Sequence, residues 1–480
     1  MGRTGTPESA PAAEPGADGR GRHAAAVARL QASYAAIPRG QTVRLAKKTS
    51  NLFRPRAAQE HGLDVSGLDG VIAIDRERRT ADVQGMCTYE HLVDATLPHG
   101  LMPLVVPQLR TITLGGAVTG LGIESSSFRN GLPHESVLEM DVLVGDGRIV
   151  TATPDNEHSD LFFAFPNSYG SLGYAVRLRI ELEQVATYVG LRHVRFDDLD
   201  SLAKTAAMIT ESRDYDGERV DFLDGVVFEP DEAYLTLGRW TDDVAESGVL
   251  RPSDYTGQDV YYRSLRERSR DALTAYDYLW RWDTDWFWCS RAFGAQHPVA
   301  RRVWPRRWRR SDVYYKIVGL ENRFRVKERI DRRRGKPDHE RVVQDIEVPV
   351  DRTADFLRWF TEHVPMRPVW LCPLRLRRGA DGSGDRPWPG YPLSAATTYV
   401  NVGFWGIVNV GPDAPTSPRN RAIEAKVSEL GGHKSLYSEA FYAPAEFERL
   451  YGGDDLARVK ATHDPDDRLT SLYDKVVHRR

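Results

Sequence analysis

The sequence predicts an α+β chain in two parts, and three observations carry that prediction. Strand pairs with tight turns cluster in the first third, and two glycine-rich loops interrupt them. The second half then runs strand, helix, strand, strand, helix, strand, the ferredoxin-like order. Residues 26–186 therefore read as a two-lobed ligand-binding domain, residues 187–445 as an antiparallel-sheet domain, and residues 446–480 as a segment returning to the first. A chain of 480 residues with 41% hydrophobic content supports two cores.

Residues 1–25 are rich in Gly, Pro, Ala, Arg and Glu, lack an apolar run, and read as a disordered tail. Residues 24–36 have helical spacing, and 42–45 read as a short strand. Strands at 71–74 and 81–84 flank a charged turn. A helix follows and stops at Pro98-His99-Gly100, where His99 suits the negative end of the helix dipole. Asp146-Gly147 is the turn of a hairpin between 142–144 and 148–152, and 175–183 alternates like a strand. From Tyr188 onward, helices at 198–213, 353–364 and 418–430 are set among strands at 191–196, 220–228, 233–237, 342–350, 368–377, 397–404 and 434–442. These assemble into one large antiparallel sheet with helices on one face and the other face left for a ligand.

The stretch 111–131 contains Thr113, Leu114, Gly115, Gly116, Gly120, Gly122, Ile123, Glu124, Ser125, Ser126, Ser127 and Gly131, with almost nothing bulky. Missing Cβ atoms let backbone N–H groups approach an anion, and the three serines add hydroxyl donors. A tight-turn loop of a β domain explains the same glycines. A second small-residue loop holds Gly170, Ser171 and Gly173 and leads into Val176. Lys48, Thr49, Ser50 and Asn51 offer further phosphate contacts.

This order of parts resembles the FAD-binding domain of the vanillyl-alcohol-oxidase (PCMH-type) flavoproteins. The resemblance implies that the first glycine loop lies along the FAD pyrophosphate and that the second closes over the cofactor. Within the family, the run from Gly122 to Ser127 is similar to that of the Δ24-sterol reductases. So are Val342-Val343-Gln344-Asp345, Trp370-Leu371-Cys372-Pro373 and Tyr399-Val400-Asn401-Val402-Gly403. The stretch 47–51 lacks the glycines and the flavin-attaching histidine common in the family, so noncovalent FAD is expected.

A net charge of −3 disfavours a general nucleic-acid partner. Cys87, Cys289 and Cys372 are widely separated, which gives no metal-ligand spacing and suits a reducing cytoplasm. No run approaches the ~18 apolar residues of a spanning helix. An anchor like that of the animal sterol reductases is therefore not expected. Arginine outnumbers lysine, as in GC-rich bacteria. Residues 276–315 combine Trp280, Trp282, Trp286 and Trp288 with Arg301, Arg302, Arg306, Arg307, Arg309 and Arg310. That composition suits either a peripheral anionic membrane contact or a folded insertion whose tryptophans line a tunnel or core while the arginines face water.

What the resemblance implies is an FAD-dependent, NADPH-driven carbon–carbon double-bond reductase. The bacterial composition and the missing anchor point to a methylene-branched fatty acyl phospholipid becoming a 10-methylstearoyl chain, with the methylene-forming methyltransferase as a partner. Glu124, Tyr399 and Asn401 are the candidate catalytic residues, with Arg375 as a further candidate proton donor. A sterol-type reductase, an alcohol or sugar oxidase, and a non-enzymatic flavin-binding membrane protein remain open alternatives.

Overall fold

The computed structural model describes residues 17–46, 62–324, 338–377, 388–391, 393–411 and 414–479. Lys48, Thr49, Ser50 and Asn51 lie outside these. No helix among the described residues is long and apolar enough to cross a membrane.

Two sheets organise the chain. The first comprises β1 (Val71–Asp75), β2 (Thr80–Gln84), β3 (Leu101–Pro103), β4 (Val137–Leu143), β5 (Ile149–Ala152) and β6 (Tyr174–Gln184). Its order is β1-β2-β6-β4-β5, with β3 also paired to β6. The central β6 alternates along its length. Leu178 and Ile180 enter the core, while Arg177 on the opposite face bonds Asp82, Glu139 and Asp141 from the neighbouring strands.

Tyr188–Phe196 forms β7, and Asp214–Tyr215 with Glu218–Arg219 (β8, β9) makes a small ribbon. The second sheet adds β10 (Phe222–Glu229), β11 (Glu232–Thr241), β12 (Arg270–Thr274), β13 (Asp338–Pro349), β14 (Val369–Leu374), β15 (Tyr399–Val410) and β16 (His433–Lys434). Its eight strands run β12-β7-β11-β10-β14-β15-β13-β16, all antiparallel. Helices Leu199–Ser212, Thr353–His363 and Pro418–Glu429 pack one face through Leu202, Ile209, Phe356, Phe360, Ile423 and Val427. The opposite face shares a core with the glycine stretch, joining Trp370, Cys372 and Tyr399 to Ala117, Val118 and Ile123. The α+β arrangement expected from the sequence is thus the observed one.

Three local expectations are corrected. The first helix, expected at 24–36, begins at Ala17 and takes in the end of what composition marks as tail; Gly19 lets this added part sit against β1, since a Cβ there would lie 2.4 Å from the Ile72 carbonyl oxygen. The glycine stretch is not all loop, since Leu114–Thr119 is a helix with Thr113 accepting from the Gly116 N–H. The strand expected at 434–442 ends at Lys434. Beyond it the buried Glu424 carboxylate takes both the Lys434 ammonium at 2.5 Å and the Phe441 N–H at 3.2 Å, so this backbone bonds a side chain instead of the sheet edge.

The C-terminal segment meets the first sheet's loops. Lys475 donates to the carbonyls of Tyr169 and Gly170 at 3.2 and 2.6 Å, and Arg468 donates to that of Ile37.

Candidate active site

Gly115 seats the Leu114–Thr119 helix: its N–H donates to the Gly85 carbonyl at 2.9 Å, and a Cβ would come within 2.6 Å of that oxygen. Gly116 is exposed on the outer side of the same turn, and a Cβ there would meet only Thr113. At the helix end Gly120 lies under the Tyr169 ring, and the Tyr169 N–H donates to the Thr119 carbonyl at 2.8 Å. The two predicted glycine loops are therefore joined.

On the second loop, the Asn167 amide donates to Gly390, while among the described residues its Oδ1 and the Ser168 hydroxyl are buried without hydrogen-bond partners. Stranded buried polar atoms are costly in a finished core but suit a place where a polar ligand completes the bonding. Beside an open glycine turn, these atoms fit the polar portion of a dinucleotide. Gly170 and Gly173 have φ of 76° and 139°; Gly173 packs on Leu143, Ser171 is buried, and Val176 lies in a small core with Val43 and Leu469.

The run from Gly122 to Gly131 forms the seam between the two sheets. Gly122 fits between Pro107 and Pro133, and the Ile123 carbonyl accepts from Gln108. Ser125 bonds the Tyr278 hydroxyl at 2.8 Å, Ser126 donates to the Leu104 carbonyl at 2.9 Å, and Ser127 accepts from the Glu124 N–H at 3.1 Å. All three hydroxyls thus bond protein. The Ser125 carbonyl accepts from Leu223 on β10, and Arg129 spans Glu183 and the Asp221 carbonyl. At Gly131, with φ of 71°, the absent Cβ makes room for the Glu135 carboxylate.

Glu124 is buried against Arg281, which sits 2.6 Å from Glu124 Oε1 and 2.8 Å from Asp224 Oδ2. Burial raises the Glu124 pKa, and the guanidinium opposes that rise. Arg281 belongs to the Trp/Arg-rich segment, whose tryptophans 280, 282, 286 and 288 are buried. Arg301 and Arg309 are buried too, and Arg310 pairs with Glu90. The folded-insertion alternative describes most of this segment.

On the sheet face turned toward the glycine loops, strand register lines up a polar row. His193, Thr236 and Asp224 are successive partners across β7, β11 and β10. Cys372, Asn401, Glu347 and His433 continue across β14, β15, β13 and β16. One step beyond the Gly225–Leu371 pair places Asp224 opposite Cys372 and joins the two halves. Every member is buried. His433 bonds Glu347 at 2.9 Å and packs on Tyr391, whose hydroxyl reaches the Gly120 carbonyl at 3.4 Å, linking the row to the first loop. Tyr399 projects from the same face and accepts from the Ser394 N–H.

Asp345 stands one pleat along from Glu347. Asn401 donates to its Oδ1 at 3.1 Å, while Asn401 Oδ1 has no partner among the described residues. Asp345, Trp405 and Tyr437, with Tyr315 and Cys289 from the insertion, sit deep in the protein yet remain only half-buried. Trp405 donates to the Tyr437 hydroxyl at 3.1 Å, and Tyr315 packs against Trp286 at 4.6 Å. Aromatic rings thus gather around one carboxyl group, and each of these residues keeps some accessible surface.

Sequence reasoning gave no role to Arg281, Asp224, Glu347, His433 or Asp345. For Asp345 a signal existed, because it ends one of the runs that carry the resemblance.

Residues 24–153 match the family described as FAD binding domain. This part of the chain is an FAD-binding domain of the PCMH type. The first glycine stretch lies inside the matched residues and the loop at 167–173 lies beyond them; the protein is an FAD-dependent oxidoreductase. The chain is 25% identical to the Δ(24)-sterol reductase of Arabidopsis thaliana over 422 residues, covering 83% of this chain and 73% of that one. It is 25% identical to the Homo sapiens Δ(24)-sterol reductase over 418 residues, covering 85% and 76%. Cytokinin dehydrogenase 3 of Arabidopsis thaliana is 31% identical over 195 residues, or 37% of this chain and 36% of that one.

Proposed function

We propose that this protein is an NADPH-driven reductase of an isolated carbon–carbon double bond in a lipid, converting a methylene-branched fatty acyl phospholipid to its 10-methylstearoyl form. The observation carrying the reductase reading is the extent of similarity. Likeness to the sterol reductases covers over four fifths of the chain, whereas likeness to the cytokinin dehydrogenase covers 37%. The gathered aromatic rings suit an apolar chain, and the arginine-rich, bacterial-type composition favours an acyl lipid over a sterol.

Bound FAD supplies hydride. The chain's residues must supply orientation, exclusion of water and a proton, because an unconjugated alkene accepts hydride poorly unless protonation develops positive charge on the more substituted carbon. The cofactor is held without a covalent bond, so acid precipitation should release it to the supernatant; yellow colour retained in the pellet would overturn that point.

The deciding experiment follows electron flow. NADPH should bleach the flavin anaerobically, and a phospholipid carrying a 10-methylene chain should reoxidise it. In D₂O, solvent deuterium should enter the new methyl group, and flavin-derived hydride the backbone carbon. A desmosterol-type alkene reacting in place of the methylene lipid would establish the sterol alternative. Reduction by an alcohol with peroxide formation, and none by NADPH, would establish an oxidase.

A lipid substrate also calls for a membrane contact, and a revised patch supports one. Helix Pro298–Val303 exposes Val299 and Val303, 67% and 77% accessible, beside Arg302, Arg306, Arg307 and the half-exposed Trp308. Each basic group near an anionic surface adds about 1 kcal/mol. Changing Arg302, Arg306 and Arg307 together to Gln should therefore weaken sedimentation with phosphatidylglycerol vesicles about 100-fold at low salt, and undiminished binding would remove the patch from this role. The same surface would let the protein work on the cytoplasmic face beside the methyltransferase that makes the methylene lipid.

A further inference from the structure

We propose that Asp345 is the proton donor of the reduction, delivering its carboxyl proton to the less substituted alkene carbon while hydride reaches the other. The inference rests on the reductase reading above and adds the residue that makes such a reaction feasible.

Geometry supports it first. Asp345 projects from β13 onto the face that meets the glycine loops, and it keeps accessible surface among the aromatic rings there. The residue paired with it on β15 is Gly403, where a Cβ would lie 2.5 Å from Asp345 Oδ1. Any other residue there would fill the space the carboxyl occupies. The surroundings are apolar rings, with Trp405 4.5 Å from Phe287 and 5.6 Å from Trp288 between centroids. Apolar surroundings with one acid suit protonation of a hydrocarbon.

The protonation state agrees. Burial, reinforced by the Glu347 charge, pushes Asp345 up to about 7, against hydrogen bonds from Asn401 and Tyr437 that favour the anion. The other groups facing it are Cys372 from β14, Tyr391 and, through Glu347, His433. No arginine or lysine contacts the Asp345 carboxylate among the described residues, in contrast to Glu124, whose carboxylate is committed to Arg281. The proton balance is simple: the O–H bond breaks as the C–H bond forms, hydride from reduced FAD completes the saturated carbon pair, and solvent returns a proton to the carboxylate.

The experiment uses full-length, FAD-loaded protein and vesicles of phosphatidylglycerol bearing a 10-methylenestearoyl chain. In the wild type, flavin reoxidation by this lipid should slow as pH rises through about 7, because the donor form is lost. Asp345→Asn should bind FAD, be bleached by NADPH at the wild-type rate, and reoxidise about 10²–10⁴-fold more slowly with no remaining pH dependence near 7. Asp345→Glu should recover part of the rate and keep a pH dependence. A readout independent of turnover is infrared difference spectroscopy of the protein without lipid, where a protonated-carboxyl band titrating near 7 should vanish in Asp345→Asn. If the wild type turns over but Asp345→Asn matches its rate and pH profile, Asp345 is not the donor. If the wild type reduces no alkene at any pH, the reductase reading itself fails, and the infrared band still reports whether Asp345 holds a proton.

Discussion

Replacing Arg281 with methionine is expected to destabilise the protein by about 3–5 kcal/mol, the usual cost of removing one partner from a buried ion pair. Its side chain is fully buried and bonds Glu124, Asp224, the Ser125 hydroxyl and the Tyr278 carbonyl, while its plane lies 4.0 Å from the Tyr278 ring centre. Methionine would leave two buried carboxylates facing one another where the run from Gly122 to Gly131 joins the sheets. Denaturant unfolding followed by tryptophan fluorescence gives the check. Adding Glu124→Gln and Asp224→Asn to Arg281→Met should recover part of the loss by removing the stranded charge, whereas lysine at 281 should not, since a single ammonium cannot match the planar fork. Stability within 1 kcal/mol of wild type in Arg281→Met would show that the cluster does not hold the seam.

The same cluster shows where the sequence stops being informative. The glycine loops were legible because a missing side chain is a local property, visible residue by residue, and so was the Asp146-Gly147 hairpin. The large sheet was legible because its strands and helices alternate in the expected order. The polar row on the inner face of that sheet was not. Along β13, Asp345 and Glu347 alternate with the core residues Ile346 and Val348, a pattern that ordinarily means polar residues facing water. Here the flavin domain covers that second face, so the polar residues become a buried row whose continuity depends on cross-strand register. Register between strands as far apart in sequence as β10 and β14 has no local signature. The tryptophans at 280–288 left two readings open for a related reason: composition marks their affinity for an apolar boundary but not whether lipid or protein forms it.

Asp345 also has a consequence for stability. A carboxyl whose folded pKa is near 7 holds its proton where the unfolded chain, with a pKa of about 3.9, has lost it. Its contribution is thus most favourable below about pH 4, declines as pH rises, and reaches its least favourable value above 7. Asp345→Asn should flatten that part of the stability profile measured between pH 5 and 8.

Gly116→Val should weaken flavin binding at least about tenfold while leaving the chain folded. The turn is exposed, so a new Cβ meets no core atom; its nearest contact is Thr113 Oγ1 at 2.8 Å, and rotating that hydroxyl away forfeits a helix cap worth about 1 kcal/mol. The two added methyl groups, however, project from the side on which an anion must approach the backbone. The expected result is a loss of at least about tenfold in FAD affinity, or about 1.4 kcal/mol. Bound flavin absorbance after gel filtration measures it, with a fall in denaturant midpoint no larger than the lost cap predicts. Gly21→Ala, on the first helix with nothing within 4 Å of the new Cβ, serves as the matched control and should keep its flavin. Gly115→Ala should behave differently from both, because its Cβ strikes the Gly85 carbonyl oxygen at 2.6 Å and the helix itself must shift, so that variant loses stability as well as cofactor. Full flavin content in Gly116→Val would move the pyrophosphate away from this turn and leave the second loop, with Asn167 and Ser168, as its principal holder.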